Sequence, residues 1–163
     1  MKTEMGEYIV GAYLKEKKDC HFVIYNVHPP VGGLEGLGEL DVVGLDLKKD
    51  VAYLCEVTTH IQGLLYGTPK KTICKVKEKY SRQKDYAKKY LKQFKTQFFM
   101  LWSPVVSSRE VLQGIKKIKG LELIINKDYA RCIEELKSEA KKKTNNTGNP
   151  FFRTLQILER LKK

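Results

Sequence analysis

Two neighbouring acidic strands constrain this chain more than any other feature of its sequence. Residues 39–46 and 51–60 are rich in apolar and β-branched side chains, and both segments carry acids. The four residues 47–50 between them suit the loop of a β-hairpin in which Asp46 pairs with Val51. We therefore predict two antiparallel strands whose register is set by this turn.

The predicted register brings like charges together. It sets Asp41 opposite Glu56 and Glu39 opposite Thr58, and the period of two places all four side chains on one face. Opposed residues have Cβ atoms roughly 4.5–5.5 Å apart, and like charges there destabilise a sheet unless a cation lies between them. Mg²⁺ suits this position because it needs only one or two protein carboxylates and keeps water or phosphate oxygens as other ligands. The hairpin is a candidate site of phosphodiester cleavage.

The net charge indicates a polyanionic partner. The chain has 31 lysines and arginines against 19 acids, a net charge of +12, and the excess is concentrated in residues 70–95 and 137–143. An acidic site in such a basic chain fits a metal ion that faces a phosphate backbone, so we expect a nucleic acid as the partner. The alternative is that the lysine-rich helices only present solvated faces.

Length, cysteines and hydropathy narrow the class of protein. We expect residues 1–163 to form one domain, with residues 150–163 as a C-terminal helical extension. The four cysteines are far apart and form no zinc-ligand pattern. No apolar run approaches membrane-spanning length and the N-terminus lacks the apolar core of a signal peptide, so we expect no membrane partner and a cytoplasmic location. Association with the nucleoid and formation of a homodimer are left open.

Hydrophobic periodicity predicts an α/β protein. Its order of elements is α-β-β-β-α-β-α-β-α with an added terminal helix, which predicts an antiparallel meander that continues into parallel strands, all in one mixed central sheet flanked by helices. Prolines and glycines in residues 29–38 predict a loop before the hairpin. The predicted helices are residues 4–16, 73–94, 108–119, 128–142 and 151–161, and the predicted strands are 20–26, 39–46, 51–60, 97–102 and 121–125.

The order of elements and the acids resemble the PD-(D/E)XK nuclease superfamily over residues 7–102. In that family a helix that often bears a glutamate precedes the sheet, and an aspartate near the start of one strand pairs with an acid-x-lysine on the next. The matching positions here are Glu7, Asp41 and the segment Glu56–Thr58. The sequence of Gly38–Val43 resembles that of the Mrr-like and archaeal-resolvase-like branches.

This resemblance implies a restriction-endonuclease-like fold and a metal-dependent endonuclease that hydrolyses DNA. Asp41 and Glu56 would hold Mg²⁺, or Mn²⁺ in its place, and Glu39 and Glu7 are further candidate ligands. Some branches also carry a glutamine followed by a tyrosine on the next helix, which Gln83 to Tyr86 resembles.

One residue departs from the family pattern. Thr58 stands where a lysine usually orients the attacking water and stabilises charge. In some relatives this lysine lies on the following helix, where Lys75, Lys77 and Lys79 are candidates and Lys77 is favoured. Metal coordination can also activate water without a lysine.

The residues expected to contact nucleic acid follow the hairpin, and two other functions remain open. The expected contacts are His60, Lys75, Lys79, Arg82 and Gln83. A catalytically inactive DNA-binding module with a nuclease fold would keep these contacts without cleavage. An assembly subunit would instead use its positive charge to bind an acidic protein. The hairpin acids would then only protect a strand from edge pairing.

Overall fold

The computed structural model describes residues 2–29 and 38–162, and in this part of the chain helices and strands alternate in the predicted order. Of the loop predicted before the hairpin, residues 30–37 lie outside the described part. The elements are α1 (Met5–Lys17), β1 (Phe22–Val27), β2 (Leu40–Asp46), β3 (Val51–Val57), α2 (Pro69–Tyr90), β4 (Thr96–Ser103), α3 (Arg109–Lys116), β5 (Leu121–Ile125), α4 (Lys127–Lys142) and α5 (Pro150–Leu161).

The strands form one mixed sheet in the order β1-β2-β3-β4-β5. β1 with β2 and β2 with β3 are antiparallel, whereas β3 with β4 and β4 with β5 are parallel. Parallel neighbours need a crossover, which α2 and α3 supply. The predicted fold class, an α/β protein with a mixed sheet flanked by helices, is confirmed.

The turn of the β2–β3 hairpin has the predicted register. Asp46 pairs with Val51, and the buried Asp46 carboxylate accepts hydrogen bonds from the backbone N–H groups of Lys48 and Lys49 at 3.0 and 3.1 Å. These bonds hold the loop in one conformation. Because the side-chain period of a strand is two, this fixed turn decides which face each acid of the hairpin occupies.

Helices cover both faces of the sheet. On one face, α1 and α4 pack on the strands around Trp102, whose ring is edge-on to Tyr13 and Tyr129 at 5.3 and 6.0 Å. On the other face, α2 and α3 bury apolar residues such as Leu54 and Leu101 of the central strands. Full burial of each such side chain contributes roughly 1.5–3 kcal/mol. The rigid sheet thus holds the end of the hairpin in a fixed place.

The C-terminal helix α5 packs against α1 and α4. Its Phe152 and Leu155 are buried with Ala12 and Leu136. Asn149 caps the helix by accepting a hydrogen bond from the Phe152 N–H at 3.0 Å, and its side-chain amide donates to the Tyr8 carbonyl at 2.8 Å. No helix in the described part of the chain is both long and apolar enough to cross a lipid bilayer.

The bounds of α2 differ most from the sequence prediction. The helix begins at Pro69 rather than near residue 73, because the Thr68 side chain accepts a hydrogen bond from the Lys71 N–H and proline is suited to the first helical position. It ends at Tyr90 rather than near residue 94. The earlier start adds one turn of helix next to the end of β3.

Candidate functional site

Four carboxylates at and near the open end of the β2–β3 hairpin interact through their charges. Pairing of the two strands reaches as far as Cys55, and the next position of the same register sets Asp41 opposite Glu56. The Asp41 charge acts on Glu56 and on Glu7 of α1, and the Glu39 charge also acts on Glu7. We call Glu7, Glu39, Asp41 and Glu56 the acidic site.

Glu56 is the buried member of the acidic site. Its side chain is only 5% exposed, and its Oε1 accepts a hydrogen bond from the ammonium group of Lys79. Burial and then the Asp41 charge raise the Glu56 pKa to about 7, while Lys79 and Arg82 oppose this shift. Glu56 Oε2 has no hydrogen-bond partner among the described residues.

Asp41 and Glu7 are each held by a backbone N–H. Asp41 Oδ2 accepts a hydrogen bond from the Val57 N–H at 2.7 Å, which fixes this carboxylate at the end of β3. Glu7 Oε2 accepts one from the Glu4 N–H at 3.0 Å, as part of a capping box at the start of α1. Burial raises the Glu7 pKa although the bond from Glu4 lowers it, and the Asp41 charge raises it further.

Lys79, rather than the favoured Lys77, is the lysine that reaches the acidic site. Burial favours loss of its proton, but the charge of Glu56 and the hydrogen bond to it raise the Lys79 pKa above its ordinary value. Lys77 is exposed and makes no hydrogen bond or ion pair with any described residue. Lys79 lies three residues after Val76 and four before Gln83, both buried, so helical geometry places it on the side of α2 that faces the sheet.

The structure corrects the placement of Gln83. Its side chain is 1% exposed, and its amide nitrogen donates to the backbone carbonyls of Leu54 and Met100, both at 3.0 Å. Gln83 therefore anchors α2 to the central strands β3 and β4. The predicted contact with nucleic acid does not agree with this buried position.

Thr58 and His60 lie in a loop and not in the strand, because β3 ends at Val57. Thr58 is 5% exposed, and its Oγ1 has no hydrogen-bond partner in residues 2–29 and 38–162. It lines a polar cavity of 110 Å³ together with Glu7, His60 and Tyr66. His60 is exposed, and its ring is edge-on to Tyr66 at 5.5 Å.

Tyr66 was not identified from the sequence, although it joins two of the predicted residues. Its ring centroid lies 5.8 Å from the Lys79 ammonium and 5.5 Å from the His60 ring. A cation at this distance from an aromatic ring is attracted by the negative charge of the ring face. The signal that the sequence offered for Tyr66 was an aromatic residue two positions before the helix cap Thr68.

A basic surface adjoins the acidic site along α2. This helix carries nine lysines and arginines against two acids. Arg82 is half-buried against Gly38, and its charge acts on Glu56. The exposed lysines of α2 are Lys70, Lys71, Lys75, Lys77, Lys84, Lys88 and Lys89.

Two oxygens of the acidic site and one of the neighbouring Thr58 are buried without a hydrogen-bond partner in the described part of the chain. They are Glu56 Oε2, Glu39 Oε1 and Thr58 Oγ1. Mg²⁺ prefers oxygen ligands, and it needs only one or two carboxylates from protein. A divalent cation would also reduce the repulsion between neighbouring carboxylates. Among the described residues, no three histidine, cysteine or acidic side chains are arranged to hold a metal ion by themselves.

Comparisons with known proteins returned no relative: no family model matches the chain, no curated protein matches it, and no solved structure matches it. What remains to indicate a function is the geometry of the acidic site and the resemblance of its residues to a nuclease motif. The fold itself, a mixed sheet flanked by helices, hosts many functions.

Proposed function

We propose that this chain is a metal-dependent endonuclease of the PD-(D/E)XK type that hydrolyses phosphodiester bonds in DNA. The observation that carries the proposal is the contact between Glu56 and Lys79 beside Asp41. It brings a lysine to the carboxylate pair even though Thr58 occupies the usual lysine position. The order of helices and strands around the hairpin supports the same family.

The acidic site would hold one divalent cation, Mg²⁺ or Mn²⁺. Asp41 and Glu56 are the proposed ligands, and Glu39 and Glu7 are further candidates because the charges of Asp41 and Glu39 both act on Glu7. A bound metal ion supplies an activated water and neutralises charge on the scissile phosphate. The raised pKa of Glu56 belongs to the free protein, where the carboxylates repel one another and burial opposes ionisation.

Lys79 would stabilise the negative charge that develops on the phosphate. Its contact with Glu56 keeps it protonated and fixes its position within the site. A fixed ammonium group in a largely buried position stabilises such charge more than a solvated one, because little reorganisation is needed during reaction. In this role Lys79 replaces the lysine that usually occupies the position of Thr58.

The exposed lysines of α2 would bind the DNA backbone next to the acidic site. Lys75 and Arg82 lie on this helix, and His60 lies at the mouth of the cavity that Glu7 also lines. Lysines and arginines that neutralise phosphates release counterions, so the affinity should fall steeply with salt.

Two rival functions are tested together with this one. An inactive DNA-binding module is favoured by Thr58 at the lysine position and by the lack, in the described residues, of three side chains grouped to hold a metal. An assembly subunit that binds an acidic protein is favoured only by the net charge of +12.

Nicking of supercoiled plasmid in Mg²⁺ tests the proposal. We expect the wild type to nick DNA, and Asp41→Asn and Glu56→Gln each to lower the rate by at least about 10³-fold, because each removes a proposed metal ligand. DNA affinity should be kept or raised, since negative charge near the phosphates is lost. Glu134→Gln, which alters an acid of a surface ion pair on α4, is the matched control and should cut as fast as the wild type.

The other possible results of this experiment distinguish the two rival functions from each other. A wild type that binds DNA with steep salt dependence but cuts nothing with Mg²⁺ or Mn²⁺ is a binding module. A wild type that neither cuts nor binds DNA contradicts every nucleic-acid function and favours the assembly subunit.

A further inference from the structure

The loop after β3 presents two large aliphatic side chains to solvent. Ile61 is 76% exposed and Leu65 is 47% exposed, and no large apolar side chain in the described residues is more exposed than Ile61. Single exposed apolar residues are common on protein surfaces. These two stand out by how their loop is anchored and by what lies beside it.

The loop is firmly anchored. Leu64, between the two exposed residues, is 1% exposed, and its N–H donates to the Val105 carbonyl at 2.9 Å. Gly63 has a φ of +115°, and an added Cβ would lie 2.5 Å from Ser107 Oγ, so this turn requires glycine. The two aliphatic side chains are thus held at a rigid tip, where ordering them costs little further entropy.

A chain of contacts joins this tip to the acidic site. Glu56 contacts Lys79, whose ammonium lies 5.8 Å from the Tyr66 ring, and Tyr66 lies edge-on to His60. His60 is the residue before Ile61. A group bound at the acidic site would therefore have the aliphatic tip next to it.

The same loop also lines an apolar groove of 1080 Å³. It shares Glu4, Gly6 and Thr59 with the small polar cavity of the acidic site, and Ile61 forms part of its wall. Aromatic residues line it as well, namely Tyr8, Tyr129 and Phe151. Aromatic and aliphatic walls accept the faces of nucleic-acid bases without regard to sequence.

Positive charge flanks the tip. Lys70 and Lys71 are exposed at the start of α2, directly after the loop, and the aliphatic part of Lys71 packs near Gly67. An apolar tip between lysines and a phosphodiester-cleaving site fits DNA, which offers apolar base faces and phosphates close together.

We propose that Ile61 and Leu65 contact DNA bases that are unstacked next to the phosphate in the acidic site. This inference rests on the proposed function, which supplies the position of that phosphate. Inserting an apolar side chain at a base step requires unstacking, and the cost is smallest where bases are already unpaired. The protein therefore prefers DNA with unpaired bases at the cleavage position over a continuous duplex.

Fluorescence anisotropy without divalent metal tests this preference, because it measures binding apart from cleavage. The probes are a labelled continuous duplex and the same duplex with a short gap. We expect the full-length wild type to bind the gapped duplex about tenfold more tightly, because burial of the two aliphatic side chains is only partial and is offset in part by the cost of ordering the bound groups. The double variant Ile61→Ala/Leu65→Ala should lose this preference while its affinity for the continuous duplex stays within about twofold.

A matched control and a second readout make the outcomes distinct. Leu158→Ala/Leu161→Ala removes two aliphatic side chains of α5 that are 50% and 74% exposed, and it should keep the preference. A wild type that binds both duplexes equally, or a loop variant that keeps the preference, overturns this inference and leaves the proposed function intact. Absence of any DNA binding overturns both. A loop variant that changes only self-association, measured by sedimentation, assigns the tip to contact between copies and overturns the inference.

Discussion

The chain uses buried carboxylates in two opposite ways. In the acidic site, carboxylates from α1, β2 and β3 repel one another, and the pKa values of Glu7 and Glu56 are raised. Elsewhere, Glu16 of α1, Glu139 of α4 and Glu159 of α5 each contact lysines. We call these three glutamates and their lysines the helix ion-pair network.

The network compensates its negative charge. Glu16 lies 2.6 Å from Lys143, which is also 3.7 Å from Glu139. Burial works against ionisation of Glu139, yet the hydrogen bond from Lys17 and the charges of three lysines hold its pKa below the ordinary value. The hydrogen bond from Lys162 likewise lowers the pKa of Glu159. These acids stabilise the packing of α1, α4 and α5.

The acidic site leaves part of its charge uncompensated. One lysine contacts Glu56, and the pKa values of Glu56 and Glu7 are raised and not lowered. Carboxylates that lower stability in this way are typical of functional sites, where a bound ligand can offset the cost. The proposed cation site rests on this difference: the acidic site has unbalanced charge, whereas the helix ion-pair network balances its own.

The largest expected effect separates two lysines of the same helix. Lys79→Met keeps the volume and the aliphatic stem but removes the charge beside Glu56, so Mg²⁺-dependent nicking should fall by about 10²- to 10³-fold. Lys77→Met removes an exposed charge of the same helix that is proposed only to bind the DNA backbone, so at saturating DNA it should change the rate by less than about twofold. Plasmid nicking of both variants is the measurement.

A second substitution controls for misfolding of Lys79→Met. Thr58→Lys in the Lys79→Met background returns an ammonium to the cavity beside the acidic site, and we expect about tenfold recovery of the lost rate. Equal loss in Lys77→Met and Lys79→Met would show that no specific lysine acts in the site.

Smaller effects are expected on stability, and they should have opposite signs in the two regions. Glu139→Gln breaks ion pairs of the network and should lower the free energy of unfolding by about 1 kcal/mol at pH 8. Glu7→Gln relieves repulsion while the glutamine keeps the capping bond, and should raise it by about 0.5 kcal/mol. Urea unfolding at two pH values measures both.

The pH dependence follows from the direction of each shift. Glu7 has a folded-state pKa above its ordinary value of 4.5. Its ionisation therefore does not lower the free energy of unfolding below pH 4.5, and lowers it as pH rises through the folded-state pKa. Glu139 has a folded-state pKa below 4.5, so its contribution is present above that value and is lost as pH falls through the folded pKa. The stability difference between each variant and the wild type should therefore shrink at about pH 4. Equal signs at pH 8 would contradict the comparison.

The parts of the fold that depend on local sequence could be predicted. The hairpin register followed from the length of the turn, because a four-residue loop with Asp46 against Val51 fixes every later pair. The order of elements followed from hydrophobic periodicity. The start of α2 was missed because Pro69 was assigned to the loop, although Thr68 followed by proline is a helix-start signal.

The parts of the site that depend on tertiary contacts could not be predicted from the sequence. Gln83 is buried because carbonyls of two different strands accept its hydrogen bonds, and the helix sequence alone does not reveal those partners. Lys79 could have been chosen over Lys77 by phasing α2 on Val76 and Ala87, but the half-buried tyrosines of this helix obscured that phase. The contact of Tyr66 with His60 depends on the path of a loop.

Titration with Mn²⁺, followed by electron paramagnetic resonance, tests the central claim most directly, because it counts ions bound per chain without requiring cleavage. The wild type should bind one ion, since its unpartnered oxygens and repelling acids fit one cation. Asp41→Asn and Glu56→Gln should each abolish that binding, whereas Glu139→Gln in the helix ion-pair network should leave it unchanged. A wild type that binds no Mn²⁺, or a Glu56→Gln variant that binds it as the wild type does, would contradict the assignment of the acidic site.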